Sequence, residues 1–154
     1  MTSKPLLVPF LLLLGCIPVD HVGSLDIDTS CNLCIVEGEI NGKKAYFIMD
    51  TGAGLTTFDI NQAKHFGFSA IESDLSVGAF NNNTASVQEA TGITSIRINK
   101  VEVLGDVIYT TNMSKLVKHI EACAHKTISG IIGVPIIKRH GLVIDLTNNR
   151  LYRN

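Results

Sequence analysis

A single mainly β domain with one or two short helices is the fold class this sequence predicts, on three observations. Asn41-Gly42 stands between two runs of strand-forming residues, the strongest short-range hairpin signal a sequence carries. Short apolar stretches recur after it at Ile93–Val103, Val107–Thr111 and Leu142–Leu146, separated by Gly, Asn and Asp rather than by long amphipathic segments. The clearest helical spacing covers only Ser114 to His125, with Leu116, Ile120 and Cys123 on one face.

In chain order, Ile35–Ile40 and Lys43–Met49 are the two hairpin strands, joined by a type I′ turn whose positive φ angles suit Asn-Gly. The second strand ends in Tyr46-Phe-Ile-Met and runs directly into Asp50-Thr51-Gly52-Ala53. Thr56 to Gly67 follows, where Ile60, Ala63, Lys64 and Phe66 have the spacing of a short helix that Gly67 stops. Glu72 to Thr91 is polar and turn-rich. Alternation returns over Ile93 to Val103 with a turn near Asn99-Lys100, and Val107 to Thr111 is a further strand. After the helix, Gly130-Ile131-Ile132-Gly133 reads as a strand. Pro135 then opens a helix or turn, and Leu142–Leu146 with Arg150–Arg153 forms a terminal hairpin.

At 154 residues the chain is long enough for one real core plus an appendage. Its formal net charge is −1 with no basic stripe or charge run, which argues against nucleic acid and against electrostatic binding to a membrane surface. Lys4 followed by the ten-residue apolar run Pro5–Leu14 is too short to span a bilayer and suits the h-region of a secretory signal. Leu13-Leu14-Gly15-Cys16 resembles the lipobox of bacterial lipoproteins, whose cysteine is lipidated; an ordinary cleaved signal or a buried strand is the alternative. The expected organisation is a signal over 1–15, a polar tether over 16–30 beginning with lipidated Cys16, and a domain over 31–154. The product is then an exported protein of a bacterial cell envelope, attached to the membrane through its N-terminal lipid.

Cys31, Cys34 and Cys123 remain. In an oxidising compartment one pair can bridge and leave one thiol over; a structural bridge involving Cys123 and plain buried thiols both stay open. Cys31-Asn-Leu-Cys34 has the spacing of a redox motif but lacks a βαβ setting. His119, Cys123 and His125 lack the further ligands of a zinc site. Ser129-Gly130 lacks a nucleophile elbow. No metal and no organic cofactor is implied. Asp145, between the last two strands, reads as a turn acid.

Asp50 is different. A carboxylate at the end of a buried strand is costly unless hydrogen bonds hold it, and held carboxylates serve acid–base chemistry. With Asp50-Thr51-Gly52-Ala53, Thr56, Ala63-Lys-His-Phe-Gly67, Gly130-Ile131-Ile132-Gly133 and the closing strands in this order, residues 33–153 resemble the retropepsin-like single-domain aspartic peptidases of retroviruses and, in related form, of bacteria. The resemblance implies the single-lobe acid-protease barrel, with Asp50 catalytic in a homodimer that hydrolyses peptide or protein substrates. It also implies that Thr51, Gly52 and Ala53 support the loop, with Ile131, Ile132 and Gly133 as scaffold behind it. A flap falls at Gly78, Ala79 and Phe80. The alternative function is a non-catalytic envelope lipoprotein domain that uses the same fold for binding or assembly.

Overall fold

The computed structural model describes residues 23–73, 75–79, 83–98, 100–103 and 107–154. The proposed signal, Cys16 and Phe80 lie outside the described residues. Within them the chain is mainly β, arranged as three sheets.

The first described strand falls within the segment read as a tether. Leu25–Asp26 forms β1, which pairs antiparallel with the end of the chain through Leu25↔Leu151 and Asp26↔Arg150. Asp28 then bridges to Ile35 and forms an ion pair with Lys126, and a 3-10 turn covers Ser30–Asn32. The reason is apolar alternation hidden in a polar segment: Leu25 packs against the core, and Ile27 is buried within it. Leu25 and Asp26 are thus already paired with β14.

Strands β2 (Ile35–Ile40) and β3 (Lys43–Met49) form the expected hairpin in continuous register from Ile35↔Ile48 to Ile40↔Lys43. Asn41 and Gly42 have φ of 49° and 73°, the left-handed values a type I′ turn needs. The Asn41 side chain also donates to the carbonyls of Phe66 and Gly92 and accepts the Thr94 N–H at 2.7 Å. One turn residue thus pins the hairpin to two later segments.

The segment read as helical from Thr56 starts as a strand instead. Thr56–Asp59 is β4, wholly buried, followed by a 3-10 turn at Ile60–Gln62 and only four residues of α1 (Ala63–Phe66), capped by Gly67 at φ 77°. Two β-branched threonines and a buried Phe58 favour a strand enclosed on both sides, and that overrides the helical spacing downstream.

The turn-rich segment is also more ordered than its composition suggests. It holds β5 (Ser69–Ile71), the hairpin β6 (Ser76–Ala79) with β7 (Asn83–Ser86), and β8 (Gln88–Thr91). Then come β9 (Ile96–Ile98), β10 (Val101–Glu102) and β11 (Ile108–Thr111). Helix α2 spans Ser114–Ala124, with His125 left-handed as its cap. The chain closes with β12 (Gly130–Ile132), α3 (Val134–Arg139) with Pro135 in its first turn, β13 (Leu142–Asp145) and β14 (Arg150–Arg153).

The main sheet runs β10-β9-β2-β3-β12-β4-β11-β8-β5, and the terminal sheet runs β1-β14-β13. Strand β12 enters between β3 and β4, parallel to the first and antiparallel to the second. Strand β3 is covered on both faces, which explains its unbroken apolar end. Phe47 and Met49 join the larger core with Phe58, Phe68, Ile132 and Leu151. Ile48 faces a second cluster beneath α2 with Ile35, Ile120 and Ile128. A disulfide joins Cys31 to Cys123 with a Cα–Cα distance of 5.8 Å, tying the first 3-10 turn to the end of α2 and leaving Cys34 as a thiol.

Candidate active site

Asp50 lies where β3 leaves the core. Phe47, Ile48 and Met49 are buried, Asp50 is half-buried, and Thr51 and Gly52 are exposed. The backbone around the acid is fixed on both sides. The Asp50 N–H donates to the Ile132 carbonyl at 3.0 Å, and the Ala53 N–H donates to the Asp50 carbonyl at 3.2 Å. The carboxylate is held as well: its Oδ1 accepts the Gly52 N–H at 2.8 Å. A Cβ at Gly52 would sit 3.2 Å from that oxygen, so glycine keeps the approach to the acid open.

Behind the loop stands β12. Ile131 is half-buried against the cluster that contains Ile48, and Ile132 is completely buried. Gly133 follows, and its N–H donates to the Thr56 hydroxyl at 3.1 Å. Val134 then donates to the Ala53 carbonyl at 2.9 Å. Strands β3 and β4, the two sides of the Asp50 loop, are thus bonded to one inserted strand and to its exit. Gly130 is equally confined, since a Cβ there would lie 2.6 Å from the Thr57 carbonyl oxygen. Asp50, Thr51, Gly52, Ala53, Ile131, Ile132 and Gly133 are therefore brought together around one loop.

Gly78 and Ala79 lie on β6, leading to the tip of the β6–β7 hairpin, paired with Thr84 and Asn83. No hydrogen bond joins them to the Asp50 loop among the described residues. Asp145 accepts the Asn148 N–H at 3.0 Å and its side-chain amide at 2.7 Å, closing the β13–β14 turn. Cys123 is bridged to Cys31, and no group of three or more His, Cys, Asp or Glu able to hold a metal occurs among the described residues.

The supporting roles of two residues, Thr56 and Asp59, escape a reading of the sequence, although Thr56 belongs to the resemblance. The Thr56 hydroxyl braces Gly133. Asp59, 3% exposed, accepts N–H bonds from Met113 at 3.1 Å and Asn61 at 3.3 Å and so anchors the start of α2. The only local signal is the Asp-x-Asn order at 59–61, which suits a turn cap.

Two grooves open elsewhere on the molecule. One of about 700 Å³ lies between β1 and β2, and one of about 510 Å³ lies between α1, the start of β3 and residues 125–129. Neither contains a residue of the Asp50 loop.

The family model described as aspartyl protease matches residues 36–136, so the chain belongs to that family. Among solved structures it resembles a retropepsin-like aspartic protease from Rickettsia conorii, with a TM-score of 0.50 and 17% identity over 83% of this chain and 86% of that one. It also resembles the retroviral protease-like domain of Ddi1 from Leishmania major, with a TM-score of 0.49 and 16% identity over 79% of this chain and 88% of that one. No curated protein sequence matches the chain. The fold is retropepsin-like.

Proposed function

We propose that the protein is an aspartic endopeptidase, active as a homodimer in which each copy supplies one Asp50. The observation that carries this reading is the Asp50 carboxylate clasped by the Gly52 N–H at 2.8 Å, on a loop that β12 braces from behind. Hydrolysis of an amide by this route needs two carboxyl groups, and one lobe contains one Asp-Thr-Gly. Two Asp50 side chains about 3 Å apart share a single proton, because two negative charges at that distance are not both sustained. The ionised carboxylate takes a proton from water as its oxygen attacks the peptide carbonyl carbon. The protonated partner gives its proton to the carbonyl oxygen, and the tetrahedral species collapses as the amine leaves with a proton. No covalent bond to the protein forms, and no metal or cofactor takes part.

In this reading Thr51, exposed in one copy, hydrogen-bonds across the two-fold axis and braces the paired loops. Ala53 lines the substrate floor, and the segment of Gly78, Ala79 and Phe80 acts as the flap that covers bound peptide. Residues 1–15 act as an export signal and Cys16 is lipidated, placing the domain in a bacterial cell envelope. The Cys31–Cys123 bridge supports export, since such bonds persist in oxidising compartments.

The test is cleavage of a mixed peptide library by the full chain across mildly acidic pH, beside Asp50→Asn. Loss of one proton-transfer group is expected to lower the rate on the order of 10²–10⁴-fold. Cleavage that persists in the variant overturns the mechanism. Lack of cleavage by a stable wild-type monomer would favour a binding domain on the same fold. Palmitate labelling that disappears in Cys16→Ala tests the anchor.

A further inference from the structure

Folding gathers a basic surface from residues that are scattered in the sequence. The groove between α1, the start of β3 and residues 125–129 takes its wall from three segments far apart in the chain. Lys44 and Tyr46 come from β3, His65 from α1, and His125, Lys126 and Ser129 from the stretch between α2 and β12. Among the described residues that line it there is no aspartate and no glutamate, in a chain whose acids and bases nearly balance. Lys44, His65 and His125 are exposed, and Lys126 is half-buried.

These side chains are suited to carboxylates. The ammonium groups of Lys44 and Lys126 lie 5.0 and 5.8 Å from the centroid of the Tyr46 ring, which holds both beside the groove. Each already takes a carboxylate from outside the groove, Glu37 on Lys44 at 2.7 Å and Asp28 on Lys126. An ammonium has three donors, so one such pairing does not exhaust it. The Lys44–Glu37 pair is moreover open to water on both sides, which makes it easy to exchange. His65 and His125 each add a ring N–H in either charge state. Ser129, 3% exposed, lines the same groove, and among the described residues its hydroxyl has no hydrogen-bond partner. A bound carboxylate supplies the acceptor that this hydroxyl lacks.

We propose that this groove is a second substrate-binding site, which takes a glutamate- or aspartate-rich segment of the peptide or protein that the Asp50 pair cleaves. Donors spread over three segments suit a row of carboxylates better than one small anion. The groove is also remote from the chemistry. Lys44 precedes Asp50 along β3 by about 20 Å of strand. An extended chain needs about six residues to cover that distance. The substrate class is therefore one whose acidic run stands apart from the cleaved bond rather than beside it. This inference rests on the endopeptidase reading above, and it adds the kind of substrate.

Binding is read without any cleavage. Fluorescence anisotropy of fluorescein-labelled hexaglutamate is measured against the full chain near neutral pH, beside hexaglutamine. The acidic peptide is expected to bind and hexaglutamine is not. The double variant Lys44→Gln/His65→Gln changes two exposed side chains of the groove and is expected to raise the Kd about tenfold or more. Lys115→Gln/Lys118→Gln removes two exposed lysines of α2 outside the groove and is expected to change the Kd less than about twofold. Circular dichroism checks that both variants fold. Equal losses in the two variants, or no binding by the wild type, overturn the groove. Displacement by inorganic phosphate as readily as by unlabelled hexaglutamate marks a small-anion site and overturns the peptide assignment.

Cleavage then links the groove to Asp50. A peptide that the protein cleaves is lengthened at either end by a spacer of about eight residues and a run of glutamates, or of glutamines. The glutamate form is expected to show a KM about tenfold lower at unchanged kcat, and Lys44→Gln/His65→Gln is expected to erase that difference. Asp50-dependent cleavage with equal KM for the two forms overturns the inference while the endopeptidase reading stands. Cleavage that persists in Asp50→Asn, with hexaglutamate binding still dependent on Lys44 and His65, overturns the paired-carboxylate chemistry while the groove stands.

Discussion

Gly133 and Ala53 stand so close that the position of one dictates the size of the other. A Cβ built on Gly133 would lie 2.7 Å from the Ala53 carbonyl oxygen and closer still to that of Leu55. The same Ala53 oxygen accepts the Val134 N–H, so the loop bearing Asp50 rests directly on the exit of β12. Both obstacles are backbone atoms, which have no rotamer to change.

Gly133→Ala is accordingly expected to force the Asp50 loop away from β12. Overpacking of this kind costs about 1–3 kcal/mol. It should appear as a lower urea midpoint together with a loss of cleavage larger than any unfolded fraction explains. An unchanged midpoint and rate would contradict the fit described.

Thr51→Ala tests a different contact. Thr51 is exposed in one copy, so the fold itself should change by no more than about 0.5 kcal/mol. If each copy loses one hydrogen bond across the axis, at about 1 kcal/mol each, dimer dissociation rises on the order of tenfold or more. Sedimentation equilibrium would show it. Equal dissociation constants would remove Thr51 from the interface.

The Cys31–Cys123 bridge spans a sequence separation of 92 residues. Closing a loop of that length removes entropy from the unfolded chain worth about 4–5 kcal/mol in the chain-entropy model. Cys123→Ser should lower stability by about 2–5 kcal/mol in denaturant, and dithiothreitol should do the same to the wild type but not to the variant. Burial pushes the remaining Cys34 thiol up, so alkylation at neutral pH should be slow until the chain unfolds.

Acid sensitivity has one clear source at the N-terminal junction. The Lys126 ammonium, followed by the Ser30 hydroxyl and N–H, holds the Asp28 carboxyl at about 2 against an ordinary value of 3.8. Folding therefore favours the ionised form, and this stabilisation is complete above the unfolded chain's value. It is lost as pH falls from about 4 toward 2. The stability gap between wild type and Asp28→Asn should shrink across that window in chemical denaturation. A gap that stays constant would show that Lys126 does not select the carboxylate.

What was legible in the sequence is what short-range chemistry decides. Asn41-Gly42, the Ser114–His125 spacing and the glycines flanking Ile131-Ile132 each carry a local signal, and the corresponding elements stand where they were expected. Strand β1 was not legible, because Leu25 and Ile27 are two apolar positions in a polar segment and their partner is β14 at the opposite end of the chain. Strand β4 was masked by the helical spacing of Ile60, Ala63 and Phe66 just beyond it. In the site, Asp50 stands out as a carboxylate at the end of a buried strand, and Gly133 through the resemblance of its segment to the family. The Thr56 hydroxyl and the Asp59 carboxylate acquire meaning only once β4 lies against β12 and α2. Cysteine counting allowed one bridge but could not choose Cys123 for Cys31, since geometry alone decides that pair.

The insertion of β12 between β3 and β4 also sets a schedule for assembly. Phe47 must wait for Gly130, 83 residues further on by the register of the two strands, before the loop between β3 and β4 has anything behind it. Such distant pairings close slowly, because chain entropy is lost before the contacts form. A chain threaded N-terminus first through a translocation pore would expose the Asp50 loop early and unbraced. The scaffold would arrive only when Gly130–Ile132 follows, so the loop would stay immature until then.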